Sequence, residues 1–90
     1  MAKFAVIIRN RQAEGLRMCV GLTVLNDTVE IFITEPIKDT EDTAPHLDAI
    51  RNLKLKVYSI VPGIKAVACE HINIDTMAEK LLKYDKVLPY

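Results

Sequence analysis

The chain has 90 residues, half of them hydrophobic, with 12 Lys and Arg against 12 Asp and Glu. That length supports one domain, spanning residues 1–90, and excludes two; a domain this small buries only about 60% of its unfolded surface. Zero net charge excludes the basic excess that nucleic acid and anionic membrane surfaces require, so neither is an expected partner.

Lys3 to Ile8 (KFAVII) is a short run of apolar and branched residues, the pattern of a strand buried on both faces. The start of the chain leads straight into it, with no signal peptide. No apolar run approaches the roughly 18 residues of a membrane span. The expected compartment is therefore the cytoplasm. Arg9 to Gln12 is a polar break. A helix is expected from Gln12 to Leu25, stopped by Asn26-Asp27. On a helical wheel, Ala13, Leu16, Cys19, Val20 and Val24 share one arc, while Met18, Leu22 and Leu25 share the opposite one. A surface helix carries one apolar stripe, so two stripes predict cover on two sides. In so short a chain the second cover is expected to be another subunit, in a homo-oligomer that is a dimer or trimer.

Val29 to Thr34 (VEIFIT) is a second strand, closed by Glu35-Pro36, and Lys38 to Thr43 is a polar, acidic loop. Thr43 can cap a helix with Pro45 in its first turn and an apolar edge of Leu47, Ile50 and Leu53. Leu55 to Val61 is a third strand, stopped by Pro62-Gly63, and Ile64 to Cys69 (IKAVAC) has the look of a fourth. No helix fits between those two. Either they meet through a tight turn, or one of them is not a full sheet strand. Thr76 and Glu79 form a capping box ahead of Met77, Ala78, Leu81 and Leu82. Lys86 to Tyr90 is the last strand, with Pro89 suited to an edge. Strands alternating with helices imply right-handed crossovers. The expected fold is a small layered α/β/α domain with a mostly parallel sheet of four or five strands.

Two cysteines make neither a disulfide framework nor a paired metal motif. The histidines and carboxylates are too scattered for a metal site. Gly15, Gly21 and Gly63 form no nucleotide-binding loop. His46 opens a helix beside the acidic loop and reads as solvated. Cys69 ends the expected fourth strand, and open α/β sheets bind ligands at strand carboxyl ends. A thiol there can be partly exposed, with His71 two residues on as a proton partner and Glu70 opposing ionisation. Cys19 lies in mid-helix and reads first as a core thiol. A buried, inert role is the ordinary fate of either cysteine. Asn10, Arg11 and Gln12, at the carboxyl end of the first strand, could hold a small anion or a partner.

The order of KFAVII, EGLRMCVGLTVLND, VEIFITEP, LKVYSI and LLKYDKVLPY resembles the DsrE/DsrF/DsrH superfamily, which includes the TusBCD sulfur-relay proteins. The resemblance implies a small layered α/β fold that assembles into trimers or hexamers. It also implies a sulfur carrier that holds sulfur as a cysteine persulfide, without a cofactor, and passes it between donor and acceptor proteins. Two registers compete. The run GIKAVACEHI is similar to the DsrE type and maps the active thiol to Cys69. The run EGLRMCVGL, with LKVYSIV and YDKVLPY, is similar to the DsrH type and maps it to Cys19. Position ranks Cys69 first. A sulfurtransferase-type carrier is thus one expectation. A non-catalytic binding or scaffold subunit of a DsrEFH-like homo- or hetero-oligomer is the other.

Overall fold

A computed structural model describes residues 3–24, 28–38, 40–65 and 67–90; Leu25 and the Asn26-Asp27 stop lie outside them. Eight elements follow in order: β1 (Lys3–Ile8), α1 (Gln12–Thr23), β2 (Thr28–Ile33), α2 (Ala44–Leu53), β3 (Lys56–Ser59), β4 (Glu70–His71), α3 (Ile74–Leu81) and β5 (Lys86–Pro89). All five strands form one parallel sheet in the order β4-β3-β2-β1-β5. The fold is α/β, as the alternation of elements implies.

Strand alternation divides the core between two faces. On the front, Val6, Ile8, Val29, Ile31, Ile33 and Val57 pack beneath α1 and α2, which contribute Leu16, Cys19, Leu47 and Ile50. On the back, Ala5, Phe32 and Tyr58 pack with Ile72 and with Met77 of α3. Three connections, β1–β2, β2–β3 and β3–β4, run in one direction along the sheet and the last returns to the far side of β1, so right-handed connections put α1 and α2 on one face and α3 on the other. Both sheet edges are short strands, and β5 carries Pro89, which limits edge pairing.

The helix α1 lies close against the sheet and the chain's last residue. A Cβ on Gly15 would stand 2.6 Å from Ile8 Cδ1 and 2.9 Å from Tyr90 Cβ, so only glycine fits there without displacement. Of the two apolar arcs expected on α1, the first holds for Leu16 and Cys19, while Val24 is 80% exposed, just past the last helical turn. The second arc divides: Leu22 packs half-buried on the chain's own core, and Met18 stays exposed.

Three expectations are corrected. Residues 64, 65 and 67–69 are not a strand. Pro62-Gly63, with Gly63 at φ +78°, turns the chain at the carboxyl edge of β3, and the chain must run back before it enters the two-residue parallel β4, which pairs with Tyr58 and Ser59. The segment between is the return crossover. Its Ile64, Val67 and Cys69 pack on the front core, and Lys65 and Ala68 are exposed, without a ladder. The second correction concerns α3. Its N-cap is Asn73, whose Oδ1 accepts from the Thr76 N–H at 2.8 Å, so Thr76 lies inside the helix and not at its cap. Thr43 does occupy the N-cap of α2, but its hydroxyl is spent elsewhere: it donates to the Lys38 carbonyl at 2.6 Å and accepts from the Thr40 N–H at 3.0 Å. Leu82, third, stands outside the packed stripe of α3 and is 86% exposed.

Candidate functional site

The carboxyl edge of the sheet gathers the ends of all five strands. Ladder-like bonds continue past the strands there: Thr34 N–H donates to the Ile8 carbonyl, Ile60 N–H to Ile33, and Ile72 N–H to Ser59. The Ser59 hydroxyl closes a tight turn, donating to the Val61 carbonyl at 2.8 Å and accepting from the Val61 N–H at 3.0 Å. These bonds fix the rim on which the loops stand.

A crevice of about 300 Å³ opens at this rim between the β1–α1 turn and the loop after β2. Arg9, Asn10, Glu35 and Lys38 stand at its sides. Gln12 forms its inner wall, and its side chain is fully engaged: Nε2 donates to the Arg9 carbonyl at 3.1 Å and the Pro36 carbonyl at 2.9 Å, while Oε1 accepts from the Lys38 N–H at 2.9 Å. A buried amide with both N–H donors used holds two loops together and has no donor left for an anion. Arg11 is committed as well. Its backbone N–H donates to the Tyr90 carbonyl at 2.7 Å, its guanidinium pairs with Glu14, and the same group lies 5.6 Å from the Tyr90 ring centroid. Of the three residues expected to bind, only Asn10 presents an uncommitted side chain, and Arg9 and Lys38 are the cations beside it. No local pattern marks Lys38, because it lies 26 positions beyond Gln12 and is brought to the crevice by bonds from its backbone to Gln12, Thr40 and Thr43.

The thiols lie elsewhere. Cys69 immediately precedes β4, one residue before the Glu70–Tyr58 pair, so it is not at a strand carboxyl end and does not line the crevice. The reason is the return crossover described above. It is half-buried against the front core, and a shallow cavity beside it is lined by Lys54, Lys56 and Glu70. Burial pushes the Cys69 thiol above its ordinary pKa. His71 follows in β4 with an exposed side chain. Cys19 is fully buried under α1, and burial pushes its thiol up to about 12. A thiol with that pKa supplies almost no thiolate at neutral pH. The structure thus keeps the three candidate groups apart: Cys19 in the front core, Cys69 just before β4, and the Asn10 crevice at the carboxyl edge. His46 is half-buried at the start of α2 beside Glu14, Arg17 and Asp42.

No protein-family model, no curated protein and no solved structure matches the chain at a significant level. Among the described residues no helix is long and apolar enough to cross a membrane.

Proposed function

We propose that this chain is a non-catalytic binding subunit of a DsrE/DsrF/DsrH-like assembly, taking a small anion in the crevice of Arg9, Asn10 and Lys38. The observation that carries the reading is the layout of the carboxyl edge: two cations and a free amide outnumber the one carboxylate, Glu35, around an open crevice that neither cysteine lines. Ligands of open α/β sheets sit at that edge, where loops diverge from strand ends. The assembly is a homo-oligomer or hetero-oligomer, supported by the exposed Met18 on α1. Sulfur transfer needs a thiolate, and burial disfavours the thiolate at both cysteines.

Sulfur carriage is the second reading, and Cys69 is its residue. The half-exposed thiol and the two lysines at its cavity favour it. The Cys69 thiolate would attack the outer sulfur of a donor persulfide, forming the Cys69 persulfide and releasing the donor thiolate; an acceptor thiolate would later take the same sulfur. One experiment separates the readings. Native protein is treated with a persulfide donor, weighed intact, and compared with Cys69→Ser. The binding reading expects no one-sulfur adduct and slow alkylation of both thiols. An adduct that Cys69→Ser abolishes would overturn it in favour of the carrier.

A further inference from the structure

The back of the sheet carries a second opening at the same edge, on the opposite face from the front helices. Ile74, Met77, Ala78 and Leu81 recur at helical spacing on one side of α3 and face the half-buried Ile7 and Ile60 at the strand ends. Between them is a groove of about 320 Å³, at the small end of the range for ligand pockets. Met77 is closed into the back core, but Ile74, one turn earlier on the same stripe, is 67% exposed. The stripe therefore continues past the end of the sheet, and the groove is where its uncovered part begins.

Among the described residues a single charged one lines this groove, Arg9 at its mouth. Arg9 has no ion-pair partner among the described residues. The acidic residues of α3, Asp75 and Glu79, lie off the stripe and do not line the groove. Thr34 stands at the rim with its hydroxyl donating to the Ile8 carbonyl at 3.2 Å, so it offers no competing donor. An apolar trough with one cation at its open end is complementary to a molecule with an apolar body and one negative head. A neutral apolar molecule would leave the guanidinium unused, and a cation would be repelled by it.

We propose that the groove between α3 and the ends of β1 and β3 is a binding site for a small amphipathic carboxylate, its chain on Ile74 and Ile60 and its head on Arg9. The guanidinium recognises a carboxylate through two parallel N–H donors, which a single ammonium lacks. This site is separate from the anion crevice of the front, and the two share only Arg9. Ala78 lines the groove alone and tests it without touching the crevice.

The test is amide chemical-shift mapping with octanoate below its micelle concentration, against octanol and octylammonium as chain-matched controls. Octanoate is expected to shift residues of α3 and the ends of β1 and β3, more strongly than octanol, with octylammonium weakest. Arg9→Gln should weaken octanoate about tenfold, the loss of one charged hydrogen-bonding partner, and leave octanol unchanged. Ala78→Trp should fill the groove and remove both, and Ile74→Ser, at an exposed position, should weaken both if the larger change perturbs folding. Equal binding of octylammonium, shifts confined to the front crevice, or an Ala78→Trp protein that binds octanoate normally would each overturn the proposal. So would an oligomer that Ala78→Trp dissociates in sedimentation, since the groove would then belong to a second copy of the chain.

Discussion

Two helices lie across the front of the sheet and one across the back, and the side chains beneath them differ in kind. The front is aliphatic: Val6, Ile8, Ile31 and Ile33 meet Leu16, Leu47 and Ile50, and all are within 2% of full burial. The back is aromatic. Phe32 stacks on Tyr58 with centroids 5.1 Å apart and meets Tyr84 edge-on at 5.7 Å. Lys80 and Lys56 lie over the Tyr58 ring at 4.6 and 5.4 Å, and Lys3 over Tyr84 at 4.8 Å. A single eight-residue helix cannot cover five strands, so rings and the stems of lysines close what α3 leaves open. The difference explains where openings occur. The front openings lie among the rim loops and beside the end of α2, and single cover leaves the back a groove along α3, at the end that the lysine and tyrosine cluster does not reach.

The sharpest way to break this contrast is to remove the aromatic hub. Phe32 is 1% exposed and touches both tyrosine rings. Phe32→Ala should cost about 3–5 kcal/mol, as in a full core, by chemical denaturation. A cost under about 1 kcal/mol would mean that the back is a loose surface layer and that only the front holds the fold.

Gln12 sharpens the comparison at the rim that joins both faces. Gln12→Ala strands the Arg9 and Pro36 carbonyls and the Lys38 N–H at once. Partly solvated, these groups should lower stability by about 1–3 kcal/mol. Backbone hydrogen exchange should rise first at Ile37 and Lys38, and the anion crevice should weaken with it. A variant with normal exchange at Lys38 would show that the loop after β2 is held by other contacts.

Much of this architecture could be read from residues, and the exceptions have physical causes. Apolar, branched runs such as KFAVII and VEIFIT name their strands because both faces are covered. IKAVAC is a similar apolar run and is no strand, since packing on the front core calls for apolar residues whether or not a ladder forms. Cys69 therefore precedes a strand instead of ending one. The dipeptide Pro62-Gly63 held the correct alternative, that one candidate was not a full strand, but chain direction in a parallel sheet is needed to choose it. Asn73 was missed as a cap because Thr76-x-x-Glu79 offers a matching motif three residues later. The binding rim was half legible. Asn10 could be located from its position after β1, whereas Lys38 and the groove on α3 depend on contacts between segments that no local pattern encodes.

Tyr84 offers the smallest and most specific test. Its hydroxyl donates to the Glu30 carboxylate, joining β2 to the segment after α3. Burial first, and then the Glu30 carboxylate, push its ionisation well above the ordinary phenol range. The proton is thus held more tightly in the folded chain than in the unfolded one. The stabilisation is complete below about pH 10, where an unfolded tyrosine keeps its proton, and is lost as pH rises above that value. Other groups, lysines included, also titrate there, so the comparison is with Tyr84→Phe. That variant should be modestly less stable at neutral pH, and its stability should fall less steeply between pH 10 and 12 in denaturation measured pH by pH. Parallel alkaline limbs for the two proteins would show that the phenol is solvated and that the aromatic back face ends at Phe32 and Tyr58.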